Sequence, residues 1–279
     1  MQRFLDPKND FAFKHVFGSE QNKDITIDFL NSVLHLEGDK KIASIEFLNP
    51  SQAPLYAGHK ISMVDISCRD QRGVSYIVEM QMARTAGFLE RIQYYGAKTY
   101  VSQLGSAQEY QTLRQVIVLA ILDHVAFPKT VDFEGLHTMR DTKTNECVLD
   151  AFTFKFIELP KFNKTLEQLE TVEDKWIYFL KHAEKENEIT HRFEGTPIKK
   201  AYDALERYNF NQKQINAYED AALTLVDFKN TSNVRYEEGK QAGVYEIALN
   251  MLSKNLPDDI ILEITKITTQ ELDEIKKSL

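Results

Sequence analysis

The stretch HKISMVDISCRDQRGVSYIVEMQMA, residues 59–83, places two carboxylates, Asp65 and Glu79, in segments that otherwise read as apolar β-strand. With the period-two alternation of a strand, Ile61, Met63, Asp65 and Ser67 share one face, and Ser75, Ile77, Glu79 and Gln81 share another. Between them, Gln71-Arg72-Gly73 closed by Asp70 and Val74 suits a three-residue hairpin loop, a type I turn followed by a left-handed glycine. Counting outward from Asp70 and Val74 sets Asp65 directly opposite Glu79. Facing carboxylates on adjacent antiparallel strands have Cβ atoms about 4.5–5.5 Å apart and repel unless something compensates. A divalent cation compensates, and Mg²⁺ commonly takes one or two carboxylates while keeping waters and room for phosphate oxygens. The pattern therefore points to metal-assisted phosphodiester hydrolysis.

A solvated sheet face is the alternative, with Lys60, Arg69 or Arg84 as counter-ions and each surface pair contributing at most about 1 kcal/mol. Against it, Asp65 is flanked by apolar residues and Glu79 interrupts the run Tyr76-Ile77-Val78-Glu79-Met80. Burying unpaired carboxylates is costly, so a metal or basic partner is expected. An even-numbered turn would put the two acids on opposite faces and favour a structural role in an interaction protein.

The elements that must hold these residues are legible from periodicity. Phe13, Val16 and Phe17, then Ile25, Phe29, Leu30, Val33 and Leu34, fall at helical spacings broken near Gly18-Ser19. Strands are expected over 42–48, 61–68 and 74–82, a helix over 87–105, and a fully buried central strand over 115–122. Two alternating pieces within 131–159 extend the sheet, and helices are expected over 166–183, 198–207 and 213–228. The charged segment 235–240 reads as a long solvated helix or a linker. Pro257-Asp258-Asp259 starts a helix, and Thr268-Thr269-Gln270-Glu271 supplies a capping box for another.

Composition narrows the classes. The 279 residues are 43% hydrophobic and 27% charged, which excludes disorder, collagen and disulfide scaffolds. A net charge of −8 leaves no chain-wide basic field, so any nucleic-acid site must be local. Only Cys68 and Cys147 are present, without CxxC spacing, and no signal-peptide core or bilayer-length apolar run occurs; a cytoplasmic setting is expected, with no membrane partner. The seven histidines form no HExxH or paired zinc spacing. GxSxG, Walker A and GxGxxG are also absent, so no nucleotide cofactor is expected.

The order Asp65, a glycine-containing turn, then Glu79-Met80-Gln81 resembles the PD-(D/E)xK nuclease signature, with Gln81 where Lys usually stands. Asn9-Asp10-Phe11-Ala12-Phe13-Lys14-His15-Val16-Phe17-Gly18, Phe29-Leu30-Asn31, Val64-Asp65-Ile66, Val78-Glu79-Met80-Gln81 and Arg91-Ile92-Gln93-Tyr94-Tyr95 together resemble the bacterial recombination-promoting nuclease and transposase family. The likeness covers residues 4–160, and more loosely Glu238-Gly239-Lys240 with the helical tail.

The resemblance implies a restriction-endonuclease-like α/β core, a mixed central sheet flanked by helices, and Mg²⁺-dependent DNA cleavage, with Mn²⁺ a possible substitute. In that family the activity is associated with mobile elements, recombination and phage defence. It implies Asp65, Glu79 and the Met80 carbonyl as metal ligands, Gln81 at the position that orients the attacking water, and Asp10 as an acid on the first helix. A neutral amide can hydrogen-bond a water but lacks the charge of Lys, so Lys60, Lys14 or a second metal would have to supply it. Asp10 could equally be a first-turn acid with Lys14 as its i,i+4 partner. Arg91, Tyr95 and Lys98 are candidates for the DNA backbone.

The expected organisation is a nuclease-like core over 1–160, a helical extension packed on it over 161–233, and a helical tail over 234–279 for self-association. A homodimer is expected, since two sites related by a two-fold axis can address antiparallel strands. The alternative function is a degenerate nuclease fold serving as a DNA-binding or protein-interaction module.

Overall fold

The structure, a computed structural model, describes residues 2–52, 62–105, 109–129 and 132–277. The chain divides into two compact units, Met1–Ala222 and Leu223–Leu279. The first opens with α1 (Asp10–Phe17), capped by the Asn9 side chain, which accepts from the Phe11 and Ala12 N–H groups. After it, α2 (Lys23–Val33) buries Ile25, Phe29, Leu30 and Val33, the helical spacing seen in the sequence. Then come β1 (Ile45–Phe47), β2 (Ser51–Gln52), β3 (Ser62–Met63), β4 (Ile66–Asp70), β5 (Ser75–Gln81), α3 (Phe88–Val101), β6 (Val116–Leu122), β7 (Glu134–Thr138) and β8 (Phe152–Glu158). Helices α4 (Val172–His182), α5 (Pro197–Leu205) and the start of α6 (Gln212–Ser253) complete the unit.

Six strands form one mixed sheet in the order β1-β4-β5-β6-β8-β7. β5, β6 and β8 run parallel; β4 pairs antiparallel with β5, β1 with β4, and β7 with β8. Every residue of β6 is buried, as its uninterrupted apolar run requires of a strand covered on both faces. One core joins Phe17, Phe29, Val78 and Leu119 to Trp176, Phe179 and Tyr202, so α1, α2, α4 and α5 share it with the sheet. The other sheet face packs Ile77, Val118 and Ala120 against Phe88, Ile92 and Tyr95 of α3. This is a restriction-endonuclease-like α/β fold, a mixed sheet flanked by helices with a helical C-terminal region.

The expected strand over 61–68 is broken. Ser62 and Met63 leave the main sheet to pair with Gln52 and Ser51, and β4 begins only at Ile66. The Val64 N–H goes to the Pro50 carbonyl at 3.1 Å and the Asp65 N–H to the Glu79 side chain, so neither serves the β4–β5 ladder. The helix expected over 166–183 starts at Val172, because Thr171 caps it in a reciprocal box with Asp174. Segment 235–240 is helical, inside α6.

In the second unit, α7 (Asp258–Thr265) and α8 (Thr269–Lys277) join the end of α6 around Ala248, Ile261, Leu272 and Ile275. The Glu271 carboxylate accepts from the Thr268 N–H at 2.7 Å, and the Glu271 N–H donates to the Thr268 hydroxyl at 3.2 Å, completing the expected capping box. Among the described residues, no helix is long and apolar enough to cross a membrane.

Candidate metal centre

The β4–β5 turn fixes the site's register. The Asp70 N–H bonds the Val74 carbonyl at 3.0 Å, the Gly73 N–H bonds the Asp70 carbonyl at 3.0 Å, and Gly73 sits at φ +83°. A left-handed residue is needed there, which glycine adopts without a Cβ penalty. The Asp70 carboxylate, wholly buried, accepts from the Arg72 and Val74 N–H groups, the Arg72 guanidinium at 2.6 and 2.8 Å, and the Tyr76 hydroxyl at 3.0 Å. Outward from this clamp the pairs run Arg69 with Ser75, Cys68 with Tyr76, Ser67 with Ile77, and Ile66 with Val78.

One step further the ladder gives way to side chains. The Asp65 N–H donates to Glu79 Oε1 at 3.2 Å, and the Met80 N–H donates to Asp65 Oδ2 at 2.8 Å. The two carboxylates are thus stitched to each other's backbone where β3 splits from β4. Glu79 is 6% exposed. Burial first, and the charge of Asp65 second, push its carboxyl up to about 8. Burial also raises Asp65, against the Met80 N–H and the Lys14 ammonium, which favour its charged form.

Two cations reach this pair from different helices. Lys14 of α1 lies 2.6 Å from Asp10 Oδ1 and 3.5 Å from Asp65 Oδ1, so it is both the i,i+4 partner of Asp10 and a bridge to Asp65. Arg91 of α3 donates from Nη2 to Gln81 Oε1 at 2.9 Å, and its charge favours the ionised form of Glu79. Gln81 uses its amide at both ends, since Nε2 donates to the Ala83 carbonyl at 2.7 Å. Tyr95, one turn beyond Arg91, is buried in the core between α3 and the sheet, and burial and the Glu79 charge raise its hydroxyl pKa.

Asp10, Lys14, Asp65, Glu79, Met80, Gln81, Arg91 and Tyr95 therefore converge. Lys60 lies outside the described residues. Lys98 is not at the surface as a backbone-contacting residue would be: it is 4% exposed, and its ammonium donates to the Ser62 hydroxyl at 3.3 Å.

The buried Glu79 carboxylate and the half-buried Asp65 carboxylate, with the Met80 peptide carbonyl beside them, form a hard-oxygen donor set, the chemistry that suits Mg²⁺ or Mn²⁺. A second acidic cluster, His35, Glu134 and Glu173, lies elsewhere. There the buried Lys155 ammonium sits 2.5 Å from Glu134 Oε2 and 3.2 Å from Glu173 Oε1, so a side chain already supplies the positive charge. Sequence reasoning missed this cluster, whose residues come from the turn after α2 and from β7, β8 and α4, and also His124, which abuts the backbone of Gln81 and whose pKa is lowered by burial.

A profile describing PD-(D/E)XK nuclease family transposases matches residues 7–234. No curated protein and no solved structure matches the chain. Nucleases of the PD-(D/E)XK class are generally dependent on divalent metal and act on DNA, in keeping with an oxygen-donor site at the sheet's hairpin. With the profile spanning the sheet, the paired acids and both cation-bearing helices, this chain belongs to the PD-(D/E)XK nuclease family transposases.

Proposed function

We propose that this chain is a metal-dependent DNA endonuclease that hydrolyses phosphodiester bonds, with Asp65, Glu79 and the Met80 carbonyl holding Mg²⁺ or Mn²⁺. The observation that carries the reading is the mutual stitching of Asp65 and Glu79, at 3.2 and 2.8 Å, beside two cations. A bound ion there supplies a water of lowered pKa and stabilises charge on the phosphoryl oxygens. The chain's own residues do the rest. Lys14, tethered to Asp10, keeps positive charge at Asp65, and Arg91 offers guanidinium N–H groups to a phosphate oxygen. Tyr95 supports the floor of the site from α3. In the displacement, water oxygen bonds phosphorus, the scissile P–O bond breaks, and the departing oxygen takes a proton.

By likeness to its family the activity serves recombination, mobile elements or phage defence; cysteine usage points to the cytoplasm, and a homodimer would let two sites related by a two-fold axis address antiparallel strands. The test is nicking of supercoiled plasmid by purified protein in Mg²⁺, Mn²⁺ or chelator, beside folded Asp65→Ala and Glu79→Ala variants. Metal-dependent nicking lost in both supports the proposal. No cleavage in any metal, with calorimetry showing no metal binding, replaces it with a degenerate binding module.

A further inference from the structure

Gln81 stands where the nuclease signature carries Lys, and its amide is engaged at both ends by groups other than the carboxylates. Its oxygen accepts from Arg91 Nη2 at 2.9 Å and its nitrogen donates to the Ala83 carbonyl at 2.7 Å. Chemistry fixes that orientation, because guanidinium only donates and a carbonyl only accepts. The backbone is held as well: the Gln81 carbonyl takes the Asp123 N–H at 2.9 Å, and Gln81 pairs with Leu122 at the end of β5.

Arg91 is correspondingly fixed. Its N–H bonds the Gly87 carbonyl at 2.9 Å in the first turn of α3, and its Cζ lies 5.4 Å from the Phe88 ring centroid. Among the described residues no carboxylate oxygen lies within 4.0 Å of its guanidinium. Lys14, by contrast, is paired to Asp10 at 2.6 Å. A neutral amide therefore holds Arg91 in place without neutralising it. A glutamate side chain at this position would cancel the charge; a lysine would repel it and remove its acceptor.

We propose that Gln81 is a positioning residue, which aims Arg91 as an uncancelled cation at the carboxylate pair, and that Arg91 takes the phosphate oxygen for which the signature's lysine is missing. This rests on the nuclease reading. One guanidinium N–H is committed to Gln81, and the fork leaves others for a diester oxygen.

The experiment is a double-mutant cycle on the full chain, Gln81→Ala, Arg91→Ala and both together, reading kcat and KM for plasmid cleavage in Mg²⁺ and DNA affinity in Ca²⁺. Displacing Arg91 by an ångström is expected to lower cleavage about 10²-fold in Gln81→Ala. The double variant should be no slower than Arg91→Ala, Arg91→Lys should recover part of the affinity, and Gln81→Lys should lower activity. Effects that multiply in the double variant, or a Gln81→Lys enzyme as fast as the parent, overturn the proposal in favour of Gln81 acting on the water itself.

A readout independent of cleavage is the ¹⁵N relaxation of the Arg91 Nε–H, ordered in the parent and mobile in Gln81→Ala. An Arg91 equally mobile in both overturns the latch. An ordered Arg91 in a parent that neither binds nor cuts DNA overturns the nuclease reading instead.

Discussion

Replacing Glu79 by glutamine measures what the sheet gives up to keep a carboxylate in its interior. Glu79 is 6% exposed, and burial followed by the Asp65 charge moves its carboxyl from 4.5 to about 8. The folded chain therefore retains a proton that the unfolded chain releases near 4.5, so stability falls as pH rises across that interval and levels off above about 8. Each pH unit of displacement corresponds to about 1.4 kcal/mol, which places the full penalty on the order of a few kcal/mol.

The glutamine side chain is isosteric with glutamate, carries no charge and can still accept the Asp65 N–H. In chelator at about pH 8.5, Glu79→Gln should be more stable than the parent by a few kcal/mol, and at about pH 5 the gap should nearly vanish. Urea denaturation followed by circular dichroism at both pH values reads the difference directly. Adding Mg²⁺ or Mn²⁺ at the higher pH should stabilise the parent and leave Glu79→Gln unmoved, since only a ligand bound to the native state shifts the equilibrium. A variant less stable than the parent at about pH 8.5, or a gap that ignores pH, would refute the reasoning.

Three further outcomes follow from the same geometry. Gly73→Ala forces a Cβ to 3.2 Å from Arg114 Cγ at φ +83°, and should cost about 1–2 kcal/mol in urea denaturation. Asp70→Ala strips the turn of the carboxylate shared by Arg72, Tyr76 and two N–H groups; a loss of about 3–5 kcal/mol is expected, with cleavage falling at temperatures where the variant remains folded. Lys155→Met leaves Glu134 and Glu173 facing each other without their ammonium, so a similar loss at neutral pH should shrink on acidification, when Glu173, already raised by burial, takes up its proton first.

The hairpin was readable because the chemistry of Asp70-Gln71-Arg72-Gly73-Val74 permits few loops, and the loop sets every pair beyond it, including the approach of Asp65 to Glu79. The central strand was readable because seven consecutive apolar residues need cover on both faces. What alternation could not reveal is the break at Val64-Asp65, since side chains keep their period of two on either side while the N–H groups change partners. Lys98 reads from sequence as a contact to the DNA backbone; only the placement of Ser62 beside it shows the ammonium turned inward. The Gln81–Arg91 contact depends on the strand-to-helix turn at Gly87 and on side-chain rotamers, which no spacing rule encodes. The His35, Glu134, Lys155 and Glu173 cluster requires the turn after α2 to meet β7, β8 and α4, so local pattern carried no trace of it.

The central claim is that the carboxylate pair, and not the lysine-filled cluster, holds the metal. Anomalous diffraction at the manganese edge from crystals of the full chain grown with Mn²⁺ tests it most directly. The account predicts a peak bridging Asp65 and Glu79, absent in Asp65→Asn crystals; a peak at His35, Glu134 and Glu173, or none at the hairpin with Mn²⁺ in excess, would contradict it.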